Sequence, residues 1–321
     1  MYSRLFAWKG ALSVVTPAFD GSHASPEFPT FSVRGEVATP AFVAWLSRWP
    51  DLWDSLRDRT TGLGLRRQRV PVDRLLTAKV PLPPLDEQTR IVERMDRVAV
   101  TRARAESAKA LSEALRQATL AATLDSGSGR YPLVPLGDVL ELAIDEVVVD
   151  PAETYPIAGV YSFGRGLISR APIAGSETKY AKLHRLQVGQ LVMSRLKAWE
   201  GAIAVVGPAQ DGSFASNEFP TFDIRQDRVR TSFVDLLTRW PTLWDSLLDH
   251  SRGIGARRER DHVDRLLSTS VPLPSREEQA RIVERMDRVE RLRIRLSDRA
   301  VAFAAIERSV LHRSLTGSTL S

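Results

Sequence analysis

Two stretches of the chain carry apolar residues spaced alternately three and four apart, the seam of a coiled coil. The later one runs Ile282, Met286, Val289, Leu292 or Arg293, Leu296, Ala300, Phe303, Ile306 or Glu307, and Val310. The earlier one runs Ile91, Met95, Val98, Ala105, Ala108, Leu111 or Ser112, Leu115, Ala118 and Ala122. Small residues in the earlier stripe allow close helix approach. Before the later stripe stands Pro272-Leu273-Pro274, then Ser275 and Glu278 at capping-box spacing, so a helix is predicted to open there. At about 1.5 Å per residue, each helix of nearly 40 residues spans about 55 to 60 Å, and an antiparallel pair would hold globular parts apart.

Between these helices the periodicity changes. Gln190 to Ser194 and Ala202 to Val206 are short apolar runs separated by Gly201, which predicts a strand pair or a bent strand. Thr231 to Asp249 places Phe233, Leu236, Leu237, Trp240, Leu243, Trp244 and Leu247 at helical spacing, with Pro241 as a kink or break. The whole pattern is written twice: Ser3 to Val98 aligns without a gap with Ser194 to Val289, and about 60% of the pairs are identical. Shared words include Ser-Arg-Leu-x-Ala-Trp-x-Gly-Ala from Ser3 and Ser194, Glu-Phe-Pro-Thr-Phe from Glu27 and Glu218, and Arg-Ile-Val-Glu-Arg-Met-Asp-Arg-Val from Arg90 and Arg281. All but one of the 7 Trp fall in matched pairs. The expected class is α/β (α+β): two duplicated small domains, each followed by a long helix, with the helices pairing as an antiparallel coiled coil.

Composition narrows the chemistry. With 321 residues, 43% hydrophobic and 26% charged, the chain is globular and long enough for two cores. Forty-five Lys and Arg against 39 Asp and Glu give +6, a modest lean toward a polyanion. The absence of Cys excludes a disulfide scaffold, a thiolate zinc site and a cysteine nucleophile, and fits a reducing cytoplasm. The opening Met1 to Val15 mimics a signal peptide, but its near copy at Val192 to Val206 makes a folded strand pair the better reading. No apolar run of about 18 residues is present, so no membrane association is expected.

The repeated words, above all Val-Pro-Leu-Pro-Pro-Leu-Asp-Glu-Gln-Thr-Arg-Ile-Val-Glu-Arg-Met-Asp-Arg-Val from Val80, resemble the core of DNA specificity subunits of type I restriction-modification systems. The resemblance covers Met1 to about Leu315. It implies two target-recognition domains, each contacting one half of a split sequence in double-stranded DNA, and two paired helices that set the gap between the halves. It further implies methyltransferase subunits docked on the helices, marked here by Ile91, Met95, Val98, Ile282, Met286 and Val289. Those partners would hold S-adenosylmethionine and methylate adenine, and a separate restriction and motor subunit would use ATP; this chain itself would bind no cofactor. One departure stands out. About 60 residues, Tyr131 to Met193, precede the second Ser-Arg-Leu, whereas almost nothing precedes the first. The expected layout is a partial first recognition domain at 1–82, a long helix at 83–124, a linker at 125–130, a complete second recognition domain at 131–273 and the distal helix at 274–316. Self-association through the incomplete first domain is a further expectation.

DNA contacts need basic side chains on exposed loops, with Arg the commonest reader of base edges. Arg165, between Gly164 and Gly166 and ahead of Arg170, is the first candidate for readout; the alternative is a hairpin turn with a solvated arginine. The segment Arg252 to Arg260, with Arg257 and Arg258, is matched by Gly62 to Arg69, with Arg66 and Arg67. Because both repeats keep these arginines, a shared phosphate clamp fits better than sequence readout; a solvated brace for the long helix is the alternative. Lys179, Lys182, His184 and Arg185 form a weaker third cluster. Trp199 and Trp240, matched and set among apolar neighbours, are expected in the core rather than on bases. His184, His250, His262 and His312 show no ligand spacing and are expected to be solvated. Neither a phosphate-binding Gly-rich loop nor a convincing dinucleotide fingerprint occurs. Three classes therefore compete: a non-catalytic recognition subunit, an enzyme acting on DNA, and a coiled-coil scaffold or defective remnant with little specific binding. The residues favour the first.

Overall fold

The computed structural model describes residues 1–57, 69–125, 129–248 and 258–317, the side chains of residues 258–262 excepted. It comprises two compact units: Met1–Ser112 with Arg293–Ser321, and Glu113–Leu292. Both long helices exist, Leu85–Leu124 and Arg276–Thr316, and each contributes residues to both units.

In the second unit, four short antiparallel strands form a sheet in the order Ile203–Val205, Leu191–Met193, Thr221–Ile224, Leu140–Leu142. The expected strand pair around Gly201 is its first hairpin, with Ile203 opposite Met193 and Val205 opposite Leu191. A second sheet runs Phe214–Ala215, Lys182–Arg185, Asp145–Val148. Leu133–Pro135 pairs antiparallel with Ser270–Pro272, so the start of the unit is tied to the residues just before the last helix. The Trp-rich stretch is two helices, Thr231–Leu237 and Pro241–Ser246. Pro241 occupies the first turn of the second, where a missing N–H costs nothing. Phe222, Phe233, Val234, Leu266 and Val271 are fully buried, and Leu120, Leu124, Ile282 and Met286 of the long helices close the same core.

The first unit repeats the helical part of this plan. Helices Pro40–Leu46 and Pro50–Ser55 bury Phe42, Trp45 and Leu52 against Ile91 and Met95 of the first long helix and Leu311 and Leu315 of the last. The sheet part is reduced to a bridge between Tyr2 and Leu12. Here the long helices run antiparallel: Arg94 donates to Ser314 Oγ at 3.3 Å, and farther along Arg102 meets Glu307 at 2.9 Å. The same sense holds in the second unit, where Arg285 donates to Thr123 Oγ1.

Two expectations for the helices need correction. Of the alternatives in the stripes, Ser112 rather than Leu111 and Glu307 rather than Ile306 face inward, and the first stripe is corrected beyond them: it continues through Arg116, Leu120 and Thr123 rather than Leu115, Ala118 and Ala122. A seven-residue repeat kept through the helix turns these polar positions toward the seam, and hydrophobicity alone misassigns them. The capping box is half made. Ser275 accepts from the Glu278 N–H, but the Glu278 carboxylate is taken by the Tyr131 hydroxyl and by Arg130 and Arg281.

Candidate nucleic-acid interface

Arg165 sits in the loop of a hairpin. Strands Ala158–Val160 and Leu167–Ser169 pair antiparallel, and the Tyr161 N–H donates to Gly166 O across the loop. Within it Phe163, Gly164 and Gly166 all adopt positive φ, at 64°, 60° and 80°. For Phe163 that is a strained conformation, held because its N–H donates to Glu200 O at 2.7 Å while the Gly164 N–H donates to Gly201 O at 3.0 Å. A Cβ on Gly164 would lie 2.8 Å from Arg239 Cα, and one on Gly201 would lie 2.5 Å from the Trp244 ring. Both glycines are therefore fixed by packing as well as by φ.

The loop is thus clamped onto the turn Ala198–Glu200. Its exposed end carries Arg165, whose Nε donates to Ser162 O at 3.0 Å and whose guanidinium lies 4.7 Å from the Tyr161 ring centroid and 6.0 Å from that of Phe163. Phe163, Tyr161 and Leu196 are also exposed. So is Trp199, at 42%, with its Nε1 donating to Leu196 O. The expectation that Trp199 is a core residue is corrected, and the one for Trp240 is met. Trp240 is buried and donates to Asp125 Oδ1 at 2.8 Å. A stacked, preoriented guanidinium flanked by solvent-facing rings can pair with a base edge or phosphate and lay apolar surface on sugars or bases.

The other candidates are spread over several elements. Arg170 is exposed just beyond the hairpin, its N–H donating to Ile157 O. Lys179 is exposed before the strand Lys182–Arg185. On that strand Lys182 pairs with Glu146, and Arg185 lies 3.8 Å from Asp145 and over the Phe214 ring, so carboxylates already partner two of the cluster. His184 is buried with Nδ1 3.1 Å from Phe219 O, which corrects the expectation of a solvated side chain, whereas His312 is exposed as expected and lies 3.5 Å from Asp51 beside Trp49. Arg69 pairs with Glu27 at 2.8 Å. Arg66, Arg67, Arg252 and Arg257 lie outside the described residues, as do the side chains of Arg258 and Arg260 in the helix Arg258–Ser268. Of the helix positions, Ile91, Met95, Ile282 and Met286 are buried within their own units, while Val98 and Val289 are half-buried. Among the described residues no three His, Asp or Glu are grouped to hold a metal ion, and no helix is long and apolar enough to cross a membrane.

Sequence reasoning missed Phe163, Tyr161 and Leu196. The signal was present in Phe163-Gly164-Arg165-Gly166, where an apolar ring directly precedes a glycine-bracketed arginine.

No family model matches the sequence, and no curated protein matches it. Solved structures do. The chain is similar to the HsdS subunit of Thermoanaerobacter tengcongensis, with 22% identity and a TM-score of 0.50 over 88% of this chain and 72% of that one. It is also similar to a chain from a structure of type I R-M system assembly and conformational transition, with 20% identity and a TM-score of 0.63 over 94% of this chain and 77% of that one. In its fold, the chain is of the kind found in the S subunits of type I restriction-modification systems, the family that its repeated motifs resemble.

Proposed function

We propose that this chain is a non-catalytic DNA-reading subunit of a type I restriction-modification complex, with its reading surface at the Arg165 hairpin of the second unit. The observation that carries this reading is the hairpin itself: a strained, glycine-fixed loop that presents an arginine lying over the exposed Tyr161 ring and near that of Phe163, in a chain with this fold. Residues 131–273 act as the complete recognition domain and 1–82 as a partial one. Arg165 reads bases. Arg170 and Lys179, with Lys182 once it leaves Glu146, contact phosphates, together with Arg66, Arg67, Arg69, Arg252, Arg257, Arg258 and Arg260 of the duplicated loops. The long helices at 83–124 and 274–316 dock methyltransferase subunits, through which the restriction and motor subunit joins. A chain without Cys suits a cytoplasmic setting.

The test is reconstitution with a methyltransferase partner. Salt-sensitive DNA binding and adenine methylation at a defined target are expected, with no methyl transfer by this chain alone. Methyl transfer by the purified chain would return the enzyme reading, and salt-insensitive or absent DNA binding in the assembled complex would return the scaffold reading.

A further inference from the structure

The repeated word Ser-Arg-Leu-x-Ala-Trp-x-Gly-Ala builds the same turn in both units. Ala7 and Ala198 are buried, and Gly10 and Gly201 close the turns at φ of 90° and 77°. A Cβ on Gly10 would lie 2.7 Å from the Trp53 ring, so this turn is seated on Trp53 as its repeat is on Trp244. The Trp8 Nε1–H donates to Leu5 O at 3.1 Å, and that of Trp199 donates to Leu196 O at 3.2 Å. Each indole is thereby fixed, with its one donor used inside the turn. The outer side of the turn is open even in the complete repeat: with residues 131–193 in place, Leu196 is 69% and Trp199 42% exposed. In the first unit Phe6, aligned with Lys197, is 52% exposed, and Trp8 is half-buried. The charges of the two turns differ. Glu200 accepts from Ser162 Oγ and pairs with Lys197. At its aligned position stands Lys9, exposed, with Nζ 4.7 Å from the Trp8 ring centroid and no carboxylate partner among the described residues. Arg57, aligned with Leu248, lies 5.5 Å from a Trp8 ring centroid. It also pairs with Asp54 at 3.4 Å, both side chains being exposed, an arrangement that holds an arginine only weakly.

We infer that the turn at residues 5–9, together with Arg57, is a second DNA contact of this chain, in which Lys9 and Arg57 meet backbone phosphates while Phe6 and Trp8 lie against the sugars. The inference rests on the proposed DNA reading and extends it from the second unit to the first. Two cations drawn to one aromatic ring keep their N–H groups free for an anion, and a rigid turn presents them without further ordering. A double-stranded nucleic acid supplies what such a surface complements, a row of phosphates flanked by apolar sugar faces. In the second unit the same turn carries the Arg165 hairpin, since the Phe163 and Gly164 N–H groups donate to Glu200 O and Gly201 O, so turn and reading loop there form one surface. The two turns divide the work by charge. Glu200 is engaged by Ser162 and Lys197 beside a reading arginine, whereas Lys9 and Arg57 bring positive charge and no base-reading geometry.

The experiment measures DNA affinity against salt, with hydroxyl-radical footprints, for the full chain assembled with its methyltransferase partner. Lys9→Gln combined with Arg57→Gln should lower the slope of log affinity against log salt by about 1 to 2, the loss of two phosphate contacts. The footprint should shrink outside the half-site that Arg165→Ala relaxes and persist within it. Phe6→Ser should weaken binding by at least about threefold. All three positions are exposed or make only an exposed ion pair, so the thermal midpoint and methyltransferase co-purification should not change. Salt-sensitive binding whose slope and footprint the double variant leaves intact overturns this contact and spares the DNA reading. Loss of methyltransferase co-purification at an unchanged thermal midpoint also overturns it, and assigns the turn to the protein partner. A wild-type complex without salt-sensitive binding overturns the DNA reading, and this contact with it.

Discussion

Gln88 and Gln279 occupy matched positions and are fully buried. The Gln279 carboxamide accepts from the Arg230 N–H at 2.8 Å and donates to Pro274 O at 2.9 Å; Gln88 accepts from the Thr39 N–H and donates to Pro83 O and Val37 O. Each glutamine thus pins the first turn of its long helix to the loop that opens the Trp-rich helices. Gln279→Ala would leave two buried backbone groups unpaired at about 1 to 3 kcal/mol each, and urea unfolding should show a loss in that range. A loss under about 0.5 kcal/mol would mean that water replaces the carboxamide. Asp235 gives a pH-dependent prediction. Burial raises its carboxyl above the ordinary value, Arg239 at 2.6 Å draws it back, and Asp287 adds to the rise. A raised folded-state value means that this group's stabilising contribution is complete below the ordinary carboxylate range and is lost as pH climbs through the folded value. Asp235→Asn keeps an acceptor for Arg239 and removes the titration. Thermal midpoints between about pH 3 and 8 should move in the variant's favour as pH rises, and a constant difference would rule out the assignment. Contacts of this kind are invisible in a hydrophobic pattern: a buried glutamine reads as a surface residue until its two backbone partners are known.

At the scale of elements, apolar spacing was enough to place both long helices, the strand pair around Gly201 and the break at Pro241. It failed where polar residues enter a seam, because a heptad is a statement about geometry and not about hydrophobicity. Glu307 is buried in the first unit and meets Arg102 at 2.9 Å, with the guanidinium partly in solvent. Such a pair adds little to stability and selects one register over its neighbours. A double-mutant cycle with Arg102→Ala and Glu307→Ala should give a coupling of about 0.5 to 1 kcal/mol, and zero coupling would assign Glu307 a packing role only. Val289, half-buried, tests the helix as a docking element. Val289→Pro removes a helix hydrogen bond and costs about 3 kcal/mol locally, and methyltransferase co-purification should be lost. Undiminished co-purification would move the docking surface elsewhere. The short strands before Ser194 were not legible in detail, since runs of two to four residues carry too little periodicity to distinguish strand from turn.

For the chain as a whole, the proposed DNA reading assigns the repeated and the unrepeated arginines different contacts. Arg257, Arg258 and Arg260 recur in the first repeat as Arg66, Arg67 and Arg69, whereas the Phe163-Gly164-Arg165-Gly166 segment occurs once in the sequence. Contacts that both repeats keep are suited to the uniform backbone, and a loop that occurs once is suited to sequence. Neutralising Arg257 and Arg258 should therefore weaken binding to every DNA and flatten its salt dependence, while Arg165→Ala should relax discrimination by about 1 to 3 kcal/mol. The first repeat has the turn Ala7–Lys9 and Gly10, the counterparts of Ala198–Glu200 and Gly201, but among the described residues no hairpin is clamped upon it as Phe163 and Gly164 are upon theirs. If sequence is read through the Arg165 hairpin, methylome mapping in cells carrying this chain should find one half-site that Arg165→Ala relaxes. Two copies acting together would specify a palindrome, because identical readers related by a two-fold axis see identical half-sites. A split motif with two different, fully specified halves from this chain unaided would mean that the first unit reads DNA through residues other than a hairpin of the Arg165 kind.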